Sequence, residues 1–128
     1  MNLKTQVQEI LQNSIYLNLA TTDNDVPWNT PVAGVYDEAL NFYWSSWINS
    51  QHSQNIHLNP NIFFTIYDST RALGTNHQRC LYIQAQAFKM NDESEIERAI
   101  SFFDGSKYTA SDLSESSVKR MYVAKPQK

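Results

Sequence analysis

Few side chains in this sequence could carry chemistry: three histidines, one cysteine and a scatter of neutral hydrogen-bond donors. His52 and His57 are five residues apart, which on a helix separates them by about 140°. They therefore do not converge on one metal ion as an i, i+4 pair can. His77 stands alone in a polar stretch, and no metal site is expected. Cys80 lies close to His77, yet it opens a β-like run and reads as an ordinary half-buried thiol rather than a nucleophile. The only glycines, Gly34, Gly74 and Gly105, are too dispersed for a Walker-type or dinucleotide-binding loop. No side chain stands out as an acid or a base, so catalytic residues stay unassigned.

The elements that must position these groups follow from periodicity. Leu3, Val7, Ile10 and Leu11 recur at helical spacing, which predicts an amphipathic helix over residues 2–13, lying across a barrel end. Ile15, Leu17 and Leu19 then alternate with Tyr16, Asn18 and Ala20, the mark of a half-buried strand over 14–22. A second strand is expected over 28–36, with Pro31 at an edge or an irregularity because proline offers no N–H to a ladder. A third is expected over 40–46, where Leu40, Phe42 and Trp44 alternate with Asn41 and Tyr43. Residues 50–58 read as a short helix with Ser50 at its N-cap, ending before Pro60. Further strands are expected over 62–67, 80–88 and 117–124, with a helix through Ile96, Ile100 and Phe103 to about residue 104. Polar loops are expected at 69–78 and 111–117. There is no internal repeat and no long βαβ alternation, which favours a mainly β architecture: about six antiparallel strands closing into a barrel, with two or three peripheral helices, formed by residues 1–128 as a single domain.

Composition bounds the partners. The chain has 128 residues, with ten Lys and Arg against thirteen Asp and Glu, for a formal charge of -3. That balance argues against a nucleic-acid surface, which needs excess cations. After Lys4 the next cation is Arg71, so any anion bound by the first half must be held by neutral donors. No apolar run approaches a membrane span, and the opening MNLKTQVQEI has no signal-peptide character. With a lone cysteine and no disulfide framework, a reducing cytoplasm is the expected location.

The run LATTDNDVPWNTPVAGVYDEALNFYWSS, followed by SQHSQNIHLNPNIFFTIYDST and LYIQAQAFKM, resembles the pyridoxamine 5'-phosphate oxidase-like family of FMN-binding split barrels, most of all a bacterial subgroup. The resemblance covers roughly residues 15–90. It implies a homodimer with FMN at the subunit interface, a small-molecule substrate, and redox chemistry carried by the flavin. By position, Asn29 and Thr30 correspond to a phosphate-binding arginine and its neighbour. Trp44 and Ser45 flank the flavin, and Ser50, Gln51 and His52 fall where relatives carry a Ser-Arg-Lys-like phosphate cluster. Gln54 stands where another arginine is common.

Each departure removes charge, so a phosphate would rest on hydroxyls, amides and the helix start, with His52 assisting as a cation. Losing charge-assisted bonds forfeits about 1 kcal/mol each, or ten- to a thousandfold in affinity altogether. Arg71 and Arg79 could reach a partner's site from the loop they flank. Two other readings fit the same resemblance. One is a degenerate module that no longer catalyses. The other is a barrel binding haem, through His52 or His77, or a deazaflavin, whose polyanionic tail demands more cations than are present.

Overall fold

In a computed structural model, the description covers residues 2–67, 79–103, 110–113 and 118–127. Helix α1 spans Leu3–Gln12 and is capped by Asn2, whose side chain accepts from the Thr5 amide at 2.8 Å. Its buried residues, Ile10 and Leu11, are those the spacing placed on one face.

Seven antiparallel strands form one curled sheet: β1 (Tyr16–Asp23), β2 (Val26–Ala33), β3 (Val35–Tyr36), β4 (Phe42–Trp47), β5 (Asn61–Tyr67), β6 (Cys80–Lys89) and β7 (Lys119–Pro126). Their order across the sheet is β2-β1-β5-β6-β7-β4-β3. Consecutive strands β2 and β3 therefore lie at opposite edges, with only Gly34 between them in the chain. The sheet is thus bent into a half-barrel. The Gly34 amide bonds the Ile15 carbonyl at 3.0 Å, and a Cβ there would sit 2.9 Å from Leu17 Cδ1 and 3.2 Å from the Tyr43 carbonyl oxygen. A side chain would not fit where the two edges approach.

This break corrects the expectation of one strand over 28–36 and raises the strand count from six to seven. Pro31 does lie in an edge strand, opposite Asn18. Two other residues depart from the alternation read from the sequence. Leu40 is exposed at φ 62° in the turn before β4, and Ile15 precedes β1 in the open. That turn is organised by Asp37, whose carboxylate accepts from the amides of Ala39 and Asn41 and from the Tyr43 hydroxyl. The short tight turn leaves Leu40 no route inward.

Two apolar layers result. Leu17, Leu19, Phe42, Trp44, Phe64 and Tyr122 fill the barrel interior. On the other side of β4 and β7, Tyr43, Met121 and Val123 are covered by α3 (Glu93–Ile100) and a 3₁₀ turn at Ala110–Leu113. Each large side chain so buried contributes roughly 1.5–3 kcal/mol. Helix α3 ends at Ile100, short of the expected residue 104, and Leu113 is fully buried where a loop was expected over 111–117. The loop expected over 69–78 lies outside the described residues. No described helix is long and apolar enough to cross a membrane.

Candidate functional site

Helix α2 (Gln51–Leu58), with Ser50 at its N-cap, carries three of the seven expected cofactor ligands. Two of its asparagines tie it to β1: Asn55 Nδ2 donates to Thr21 Oγ1 at 3.0 Å, and Asn59 Nδ2 to Thr22 Oγ1 at 3.2 Å. Gln51 Nε2 in turn donates to Asn55 Oδ1 at 2.7 Å. The helix therefore starts at a defined place beside the β1–β2 pair.

Ser50 occupies the N-cap position but makes no side-chain bond to the helix amides. Its hydroxyl donates instead to the Trp47 carbonyl at 2.8 Å and lies 2.8 Å from the Ser53 hydroxyl. The first-turn amides of α2 are thus left without a side-chain cap, an arrangement suited to an anion. His52 is buried, with Nε2 at 2.8 Å from Ser46 Oγ and 3.4 Å from Ser50 Oγ. Burial pushes its pKa below the ordinary imidazole value. Near neutral pH His52 is therefore uncharged, and the cation role expected of it loses its basis.

The structure brings the side chains of Ser50 and His52 together, turns Gln51 toward Asn55 and disperses the others. Thr30 pairs with Leu19 and shares the barrel-interior face, whereas Asn29 pairs with Ala20 and points to the outer face. Trp44 is fully buried, stacked on Tyr122 with centroids 6.0 Å apart, and its indole N–H is buried with no acceptor among the described residues. Ser45, paired with Met121, lies on the opposite face from Trp44. Arg79 is held by Glu9 of its own chain at 2.9 Å, and Arg71 lies outside the described residues.

Sequence reasoning missed Ser46, Ser53, Thr21 and Asn55. Ser46 was readable, since alternation places it on the same face as Trp44. Asn55 and Thr21 meet only through a tertiary contact 34 residues apart. Of two cavities, about 730 and 630 Å³, the first is bordered by Ser53 and Gln54, and none of the seven expected ligands lines either one.

No protein-family model matches the chain, and no curated protein matches it. Solved structures do. A candidate pyridoxamine 5'-phosphate oxidase from Listeria innocua superposes with a TM-score of 0.71 at 19% identity, covering 99% of this chain and 95% of that one. The haem storage protein HutZ of Vibrio cholerae gives 0.78 at 21% identity, over 100% and 92%. A FAD-binding protein from Mesorhizobium loti gives 0.72 at 11% identity, over 100% and 91%. The fold is thus the split barrel of the pyridoxamine 5'-phosphate oxidase-like proteins. Its structural neighbours include flavin- and haem-binding proteins.

Proposed function

We propose that this chain is a single-domain, cytoplasmic flavoprotein: an FMN-dependent oxidoreductase acting on a small molecule as a homodimer. The observation that carries the reading is the uncapped start of α2, where Ser50 and His52 lie 3.4 Å apart and Gln51 follows the N-cap, on a split-barrel fold. The groups there suit a phosphate held by neutral donors. The first-turn amides and the second Nε2 hydrogen of Gln51 would hold it, Ser50 would join by turning its hydroxyl from the Trp47 carbonyl, and Thr30 would approach from the interior face of β2. His52 would position Ser50 and Ser46 as a neutral hydrogen-bond partner. Once bound, FMN supplies hydride or electron transfer through its isoalloxazine ring. With Trp44 in the core, this segment meets the flavin through its backbone.

A second subunit is supported by the outer face of β2, β1, β5 and β6. Tyr16, Phe63, Tyr67 and Tyr82 are exposed there, interleaved with Asn18 and Thr65, and no outward residue of these four strands is charged. An uncharged aromatic sheet face of this kind suits burial against a second copy. The haem reading called on His52 or His77. The first is buried and bonded to Ser46, and the second lies outside the described residues.

The test is the visible spectrum of the purified protein and a titration of FMN followed by fluorescence quenching. Saturable quenching is expected, and Ser50→Ala should weaken FMN by about tenfold while leaving riboflavin, which lacks the phosphate, nearly unchanged. No quenching would overturn the flavoprotein reading. Equal losses for both ligands would overturn the phosphate assignment alone.

A further inference from the structure

The larger cavity, of about 730 Å³, opens between α2, the end of β6 and the middle of β7, and its size falls in the range of small-molecule sites. Ile48, Ile56, Pro60, Ala87 and Phe88 give it an apolar wall. The polar part of the lining includes Ser53, Lys89, Asn91 and Tyr122. The chain has thirteen carboxylate side chains, and none of them lines this space among the described residues.

Two of the polar groups are set up as donors. Lys89 stands opposite Tyr122 in the β6–β7 register, and its ammonium forms no ion pair among the described residues. Asn91 Oδ1 accepts from Arg120 Nη2 at 2.6 Å. A guanidinium only donates, so this bond fixes the Asn91 amide with its oxygen on Arg120 and leaves the NH₂ group to serve the cavity. Arg120 is itself buried and anchored to the Met90 and Leu113 carbonyls, which keeps Asn91 in that orientation.

We propose that this cavity binds a small amphipathic carboxylate, its charged end on Lys89 and Asn91 and its hydrocarbon body against Ile56, Pro60 and Ala87. The pairing of an unopposed ammonium and an oriented amide with an apolar wall selects an organic anion over a cation or a sugar. The inference does not rest on flavin binding: Gln54 borders the cavity, but Asn29, Thr30, Trp44, Ser45, Ser50, Gln51 and His52 do not.

Octanoate, 1-octanol and acetate serve as probes, titrated calorimetrically into the full chain. Octanoate should bind saturably at one site per chain, acetate should not bind detectably, and octanol should bind more weakly than octanoate. Lys89→Met should weaken octanoate about ten- to hundredfold without affecting octanol, and Lys89→Arg should restore most of the loss. Lys89 is half-exposed, so these variants should fold, and their circular dichroism spectra check it. Octanoate binding that is absent, indifferent to Lys89→Met, or matched by octanol would overturn the proposal. Displacement of octanoate by FMN would likewise overturn it, by assigning the cavity to the flavin.

Discussion

Gly34 is the point at which the closure of the barrel can be tested by adding one carbon. In Gly34→Ala the new Cβ lies 2.9 and 3.1 Å from Leu17 Cδ1 and Cγ and 3.2 Å from the Tyr43 carbonyl oxygen. Leu17 is buried and cannot swing into water, and the carbonyl belongs to the β4 backbone, paired through Tyr43 with Val35. Overpacking of this kind costs about 1–3 kcal/mol. Replacing glycine also restricts the unfolded chain, which returns about 0.4–1 kcal/mol. The net expectation is a loss of about 1–2 kcal/mol. For a domain of this length, 1 kcal/mol corresponds to about 4 °C in Tm, so thermal unfolding should move down by about 4–8 °C. The double variant Gly34→Ala/Leu17→Ala sharpens the test, because it removes two of the three atoms the Cβ meets. It should be less destabilised than the sum of the single variants by about 1 kcal/mol. A Tm for Gly34→Ala equal to or above the parent, or strict additivity in the double variant, would refute the close approach of the two sheet edges.

Other consequences are local. Burial alone would push the Asp37 carboxyl up, but hydrogen bonds from the Asn41 backbone, Tyr43, the Asn41 side chain and Arg98 together hold it below the ordinary carboxylate value. Its contribution to stability is therefore complete above about pH 4 and is lost as pH falls through its folded pKa; Asp37→Asn should flatten that acid limb in denaturant titrations. Burial and the Asp37 carboxylate raise the Tyr43 hydroxyl to about 12. Stability should accordingly fall between about pH 10 and 12, and Tyr43→Phe should remove that slope. Asn55→Leu strips acceptors and donors from Gln51 and Thr21, and should cost about 1–3 kcal/mol and loosen the start of α2, seen as faster amide exchange there. Since His52 is already neutral, FMN affinity should stay level between pH 7 and 8, and a fall across that interval would return a cationic role to His52.

How much of this was readable in advance depended on whether a residue's role is local. The alternation of Leu17 and Leu19 and the helix start at Ser50 are local patterns, and the structure keeps them. Whether Ser50 caps the helix was not readable, because its hydroxyl is claimed by the Trp47 carbonyl. Trp44 and Ser45 are adjacent in sequence, and a period of two already implied that their side chains could not share one face. The break at Gly34 depends on Leu17 and Tyr43, whose distance in space no periodicity reports. The cavity beside Lys89 was invisible for the same reason: residues from β6, β7 and α2 meet there only in the fold.

Strand β7 is the last strand in the chain, yet it lies inside the sheet, pairing β6 on one side and β4 on the other. During synthesis, β4 and β6 exist long before the segment that joins them. Until residues 119–126 arrive, both carry open ladder edges, and Trp44 lacks the Tyr122 ring that stacks on it. The nascent chain is therefore a sheet in two unjoined pieces with sticky margins. Its completion is set by the arrival of one short strand, so premature termination or proteolysis within β7 exposes the molecule to aggregation rather than merely shortening it.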